Sequence, residues 1–223
     1  MPDSLPRNVE PLELTKQELL DTPPGAIDTN RLRFPGLRGE ASRHLGRAAL
    51  EAALAALPAA PKDRGTVDLM VARGPNGERG LPERVQLTVD GGMPGDRWVG
   101  DDRYGPDYQL ATTRTDFARV VANGQDLALH GDNLFLGLDL SAANLPIGSR
   151  LQLGQALVEV TPVAHNGCKK WVQRFGLPAM QLNMQLVKQG EHLRGIYLRV
   201  VEPGVACVGD PVVVLRRASA HAE

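Results

Sequence analysis

Short alternating apolar stretches, cut by glycine and proline turns, most restrict how this chain can fold. Residues 66–72 place Val67, Leu69 and Val71 on one face, and residues 84–89 do the same with Val85, Leu87 and Val89. That period of two marks half-buried strands. Between them Gly74-Pro75-Asn76-Gly77 supplies turn residues, and Asn-Gly is a strong hairpin signal. Further strand-like runs cover 108–111, 133–140, 150–153, 156–160, 195–201 and 211–215, with Gly148 and Gly154 as turns. Many short strands and few helices indicate a mainly-β fold with peripheral helices, an α+β arrangement whose sheet closes into a β-barrel.

The helices have their own signals. Thr15 and Glu18 have capping-box spacing before a short helix over 15–20, which Pro23-Pro24-Gly25 stops. Over 42–57, Leu45, Ala49, Leu50, Ala53, Leu54 and Leu57 form one helical stripe, and Pro58 ends it. Arg38, Arg43 and Arg47 read there as a solvated outer face. Helices are also expected over 115–122, closed by Asn123-Gly124, and over 178–188, ending at Gly190. The chain divides into an N-terminal arm and helix (1–60) packing on the barrel, the barrel domain (61–217) and a flexible tail (218–223).

With 25 basic against 26 acidic residues, the chain lacks the positive field that nucleic acid or an acidic membrane surface would require. No apolar run approaches the roughly 20 residues of a membrane span. The start, MPDSLPRNVEPLEL, lacks the basic and apolar regions of a signal peptide. The two cysteines do not form a disulfide framework. A reduced, cytoplasmic setting is the expectation, with Cys168 a free thiol and Cys207 in the core.

The chemistry concentrates in residues 161–176, TPVAHNGCKKWVQRFG. Here His165 precedes Cys168 by three residues, and Lys169 and Lys170 follow it. A thiol acts as nucleophile or ligand only as thiolate, which nearby cations favour. If a helix starts at Lys169, Cys168 sits at its N-terminus, where unpaired N–H groups also favour an anion. The competing reading is a small buried hydrophobe in a turn, and on this stretch alone the two stand level. His165 is either a proton donor or acceptor near neutral pH or a turn histidine facing water. A zinc pair of His165 and Cys168 falls short of the three or four protein ligands zinc takes. The five aspartates of residues 90–107 lack calcium-loop spacing and suit turns.

Five pieces occur in one order. They are GDRW from Gly95, GDNLFLGLDL from Gly131, LPIGSRLQLG from Leu145, the VEVTP…GCKK run ending at Lys170, and RGIYLRVVEPG…VGDPV from Arg194. Together they resemble the MOSC family, named for the C-terminal domain of molybdenum cofactor sulfurases, and are closest to its stand-alone bacterial members. The resemblance implies a closed β-barrel whose pocket carries a cysteine that holds sulfur as a persulfide or ligates the molybdenum of a pterin cofactor. That cysteine corresponds to Cys168. Asn133, His165, Lys169, Lys170, Arg97 and Arg194 are the implied cofactor-binding residues. Asn133 either staples its loop or reads a pterin edge with its amide, and Asp96 reads as a loop staple.

The pattern also departs from the family. Gly131 stands where amidoxime-reducing relatives carry an arginine, and Trp98 where many members carry a histidine; Arg97 or Arg194 can take over a phosphate clamp. The pyridoxal-phosphate desulfurase domain of some relatives is absent, and nothing resembles its lysine-bearing site. The leading expectation is a protein that binds molybdenum cofactor, carries sulfur on Cys168 for a metal centre, or both. Its partner would be a sulfur donor such as a cysteine desulfurase. The alternatives are a molybdenum-dependent reductase of N-hydroxylated compounds with a separate redox partner, and a non-catalytic molybdopterin carrier.

Overall fold

The structure, a computed structural model, describes residues 12–23, 25–32, 34 and 36–219. The expected arm up to residue 11, Pro24 of the expected helix stop and tail residues 220–223 lie outside them. In chain order the strands are β1 (Arg64–Met70), β2 (Ala72–Arg73), β3 (Arg79–Gly80), β4 (Arg84–Leu87), β5 (Leu110–Arg114) and β6 (Leu134–Leu136). They continue with β7 (Arg150–Leu153), β8 (Ala156–Ala164), β9 (Ile196–Glu202), β10 (Gly204–Cys207) and β11 (Pro211–Arg216). The helices are α1 (Lys16–Asp21), α2 (Arg47–Ala55), α3 (Thr115–Ala122), α4 (Lys169–Phe175) and α5 (Leu177–Lys188).

The strands close a barrel in the order β1–β11–β7–β8–β9–β5–β6, with β6 pairing back onto β1. Its pairs are antiparallel except β5–β6. A parallel pair needs a crossover, and α3 with the 3-10 turn Leu127–His130 supplies it. Inward positions such as Val67, Leu110, Leu136, Leu153, Val158 and Leu198 are fully or almost fully buried and form one apolar core. Each such Val or Leu contributes about 1.5–3 kcal/mol relative to exposure. Where β9 approaches β5, Gly195 has φ 129°, and a Cβ there would lie 1.5 Å from the Thr112 carbonyl oxygen. Only glycine fits that approach.

A second core lies outside the barrel. Leu19, Leu32, Leu50, Phe117, Trp171, Phe175 and Met180 pack together from all five helices and the arm. The α1 capping box forms as expected: Glu18 N donates to Thr15 Oγ1 at 3.2 Å, and Thr15 N to Glu18 Oε2 at 2.6 Å. The α3 helix matches its expected span and ends on left-handed Asn123 at φ 46°. In α5, Pro178 sits in the first turn, where its missing N–H costs nothing.

Several expectations change. The Asn76-Gly77 turn joins only the two-residue strands β2 and β3, with Ala72 opposite Gly80. The runs on either side of it do not pair with each other, because β1 joins β11 and β6 while β4 joins β10. A turn signal fixes a local reversal, but barrel closure chooses the partners. The expected helix over 42–57 starts instead at Arg47, since Gly46 takes the N-cap after a 3-10 turn at Ala41–Arg43. The expected strand over 133–140 is ladder-bonded only at Leu134–Leu136, although Leu138 and Leu140 stay buried. Cys207 ends β10 and is half-buried rather than core. No helix among the described residues is long and apolar enough to cross a membrane.

Candidate functional site

Strand β8 ends at Ala164 and runs into a loop that carries His165 and reaches Cys168, the N-cap of α4. Its backbone turns at φ −134°, ψ 172°, and its carbonyl accepts Trp171 N and Val172 N at 2.9 and 3.1 Å. The side chain is exposed and faces a cleft of about 210 Å³ between barrel and helical layer. Cys168, His165, Lys170, Arg97 and Arg194 all line that cleft. Lys169 points away as an exposed side chain, and Asn133 lies behind the wall.

Asn133 is wholly buried and fully bonded. Its Oδ1 accepts Ala111 N at 3.1 Å, and its Nδ2 donates to Val71 O at 3.1 Å and Asp96 Oδ2 at 2.7 Å. Asp96 also receives Arg73 through both oxygens, Nε at 2.8 Å and Nη2 at 2.9 Å, and caps the next turn through Trp98 N. Burial pushes the Asp96 carboxyl up, but Arg73 holds it below its usual range. Arg73 Nη1 donates to Gly131 O at 3.1 Å. This network makes the cleft floor rigid, because a buried polar group is stable only when its hydrogen bonds are complete.

On the barrel side stands a charged cluster the motifs did not reveal as a unit. Asp132 Oδ1 lies 2.9 Å from His165 Nε2 and 3.7 Å from Arg194 Nη1, and Arg194 Nη1 also contacts His165 Nε2. Burial raises the Asp132 carboxyl, yet Arg194 and His165 keep it well below the usual carboxylate range. Burial lowers His165, Arg194 adds to that, and Asp132 opposes it. Of the two readings of His165, the turn histidine facing water does not hold, since the residue is 5% exposed. Three buried atoms here, Asp132 Oδ2, His165 Nδ1 and Arg194 Nε, have no hydrogen-bond partner among the described residues.

The helical side is organised by Trp171 and His130. His130 Nδ1 accepts Trp171 Nε1–H at 3.3 Å, so its Nε2 carries the proton shared with Ala118 O at 3.0 Å. Burial lowers this imidazole to about 4. Arg194 stacks over Trp171 at 5.0 Å, a cation–π contact that fixes its guanidinium. An aromatic series closes the other edge: Tyr104–Tyr108 at 5.2 Å, Tyr108–Tyr197 at 5.3 Å and Tyr197–His165 at 4.7 Å.

Arg73, Arg79, Asp132, Arg174 and Tyr197 also line the cleft and were not singled out from sequence. One signal was present for Arg174: it follows Lys170 by four on α4, so both share a face. Asp132 was inside a quoted motif, but its partners are distant in sequence. Among the described residues no group of three or more His, Cys, Asp or Glu is arranged to hold a metal ion. Of the aspartates of 90–107, Asp96 pairs with Arg73, Asp101 with Arg103 and Asp107 with Arg199.

The MOSC domain family model matches residues 93–213. A crystal structure of a hypothetical protein superposes with a TM-score of 0.53 at 19% identity, covering 71% of each chain. YiiM from Geobacillus stearothermophilus gives 0.51 at 18% identity, covering 70% of this chain and 77% of that one. Such identities speak for the fold alone. No curated protein matches the chain.

Proposed function

This chain belongs to the MOSC domain family, and on that premise we propose that its cleft binds a molybdenum pterin cofactor and that Cys168 carries sulfur there as a persulfide. One observation carries the reading: the exposed Cys168 thiol opens into a cleft walled by arginines. The residues fit the cofactor. The unpartnered Asp132 Oδ2, His165 Nδ1 and Arg194 Nε offer acceptors and a donor to a pterin edge. Arg97, Lys170 and Arg174 suit its phosphate, and the Cys168 sulfur is a soft ligand of the kind soft metals prefer. When bound, the cofactor supplies the redox-active metal.

The chain's own step is sulfur capture. The Cys168 thiolate attacks the outer sulfur of a donor persulfide, the donor leaves as its thiolate, and Cys168 keeps the transferred sulfur as an anionic persulfide. No net oxidant is required, because the sulfur arrives already at the persulfide level. The neighbouring Lys170 and Arg97 suit the negative product. The donor belongs to the class of persulfide-forming enzymes, such as a cysteine desulfurase.

Intact mass of freshly purified protein, with and without reductant, beside molybdenum analysis, tests this. The expected result is a reducible gain of about 32 Da at Cys168, absent in Cys168→Ala. An unmodified thiol with stoichiometric molybdenum would reassign the protein as a reductase of N-hydroxylated compounds. Pterin retained unchanged in Cys168→Ala would make it a carrier.

A further inference from the structure

Direct persulfide transfer between two proteins requires their sulfur atoms to touch. The Cys168 sulfur bonds to the donor's outer sulfur, the donor's S–S bond breaks, and the donor leaves as its thiolate. Cys168 sits at the N-cap of α4 inside a cleft. A protein donor must therefore bring its cysteine on a protruding segment, which meets the rim of that cleft first.

Part of the rim is the segment 97–108, and it differs from the rest of the surface. Nine large hydrophobic side chains are exposed among the described residues, and three of them, Val99, Tyr104 and Tyr108, lie on this segment. Each of the other six stands alone in its own stretch of chain. Single exposed apolar residues are ordinary, whereas a group of them beside a functional opening suits a contact surface. Trp98, Asp101, Tyr104 and Tyr108 reach the cleft wall, while Val99, 60% exposed, is not part of it.

The segment is exposed yet held in shape. Asp96 caps its first turn through Trp98 N at 2.9 Å, and Trp98 Nε1 donates to Gly105 O at 3.2 Å. Arg103 closes on both oxygens of Asp101 at 2.6 Å. Tyr104 rests against Tyr108, and Tyr108 against Tyr197. Side chains already fixed lose little freedom when a partner covers them.

Charge selects the occupant. Burial lowers the Lys16 ammonium of α1 and the nearby Cys168 opposes it, so α1 lies beside the thiol. Lys169 follows Cys168 and is exposed. Neither lysine belongs to the cleft wall or forms a hydrogen bond or salt bridge among the described residues. Acidic side chains next to an anionic persulfide complement such a pair. Resting on the sulfur-carrier reading above, we propose that segment 97–108 is the docking rim for the persulfide donor protein. That donor presents its cysteine on a segment with apolar and acidic side chains. So small a rim suits a transient encounter, of the class that buries less than about 1,200 Å².

The initial rate of the gain of about 32 Da at Cys168, read by intact mass on the full chain, tests this with two donors. One is glutathione persulfide, which needs no rim, and the other a cysteine desulfurase charged with L-cysteine. Val99→Asp should slow loading from the desulfurase about tenfold and leave loading from glutathione persulfide within about twofold. Asp102→Lys, which adds positive charge to the same segment, should speed the desulfurase severalfold. Ile147→Asp, at a side chain 61% exposed but far along the chain from this segment, should change neither. Unchanged desulfurase loading in Val99→Asp overturns the proposal. So does equal slowing with both donors, which would make the segment part of the thiol's own site. A parent chain loaded by glutathione persulfide but not by the desulfurase removes the docking rim and leaves the sulfur carrier standing. Loading by neither removes the carrier reading, and the rim with it.

Discussion

The barrel interior and the helical layer bury similar apolar side chains but are held in different ways. The barrel core is drawn from strands that complete one another's hydrogen-bond ladders around a closed sheet. The helical core joins Leu19, Leu32 and Leu50 of the first quarter of the chain to Trp171 and Phe175 near its end. It also encloses polar groups: His130, Gln173 and Arg174 are all buried there. The cleft lies where the two regions meet. His165, Arg194 and Asp132 come from the barrel side, and Cys168, Lys170 and Arg174 from α4 and its N-cap. A closed sheet supplies a fixed wall, while the packed helices present the thiol and two of the cleft's cations, Lys170 and Arg174.

The largest test of that contrast is Gly195→Ala. The added methyl meets the Thr112 carbonyl, so barrel closure should lose more than about 4 kcal/mol, read as loss of soluble protein or of the denaturation transition. A near-parental transition would show that the wall can shift. Next is Trp171→Ala, expected to cost about 3–5 kcal/mol. Hydrogen exchange should show α4 and α5 losing protection before the barrel strands. Uniform loss would mean that the two cores unfold as one.

Acid should act first through the buried imidazoles. Burial holds His130 at about 4, against about 6.5 in the unfolded chain. The unfolded chain therefore takes up this proton first, so stability is full above about pH 6.5 and falls as the pH drops from there toward about 4, by about 3 kcal/mol. His165, also lowered by burial, acts in the same direction. Asp132, held below its unfolded value, loses its contribution only as the pH falls below about 4. Urea unfolding across this range should show a shallower slope in His130→Gln.

The smallest effect concerns the strap over α4. Gln173 exchanges hydrogen bonds with Gly39, Oε1 accepting at 2.9 Å and Nε2 donating at 3.1 Å. Gln173→Ala should cost about 1–2 kcal/mol and raise exchange at residues 36–40 while leaving β8 and β9 protected. An unchanged strap would mean that Arg174, through Leu37 O, and Gln125, through Glu40 N, suffice to hold it.

What could be read without coordinates was local. Period-two alternation and glycine turns located most barrel strands, and capping chemistry placed α1, α3 and α5 within a residue or two. Cys168 at the start of α4 followed from the run His165 to Phe175. The weaker readings share one cause. Residues 84–87 and 204–207 pair although β5 to β9 lie between them in the chain, and nothing in either run names its partner. Asn133 resembled a pocket residue because its amide suits both roles, and the contacts with Ala111, Val71 and Asp96 place it behind the wall.

By itself the order of residues determined the elements, the closed β architecture and the thiol, because propensity, turn chemistry and capping act over a few positions. Tertiary structure alone decided which charges are matched. Arg73 meets Asp96 and Arg194 meets Asp132 across more than 20 positions, while the hydrogen bonds of Arg79 and Arg174 go to backbone carbonyls. Coulombic pairing depends on distance in space, and only the closed barrel with its docked helices sets that distance.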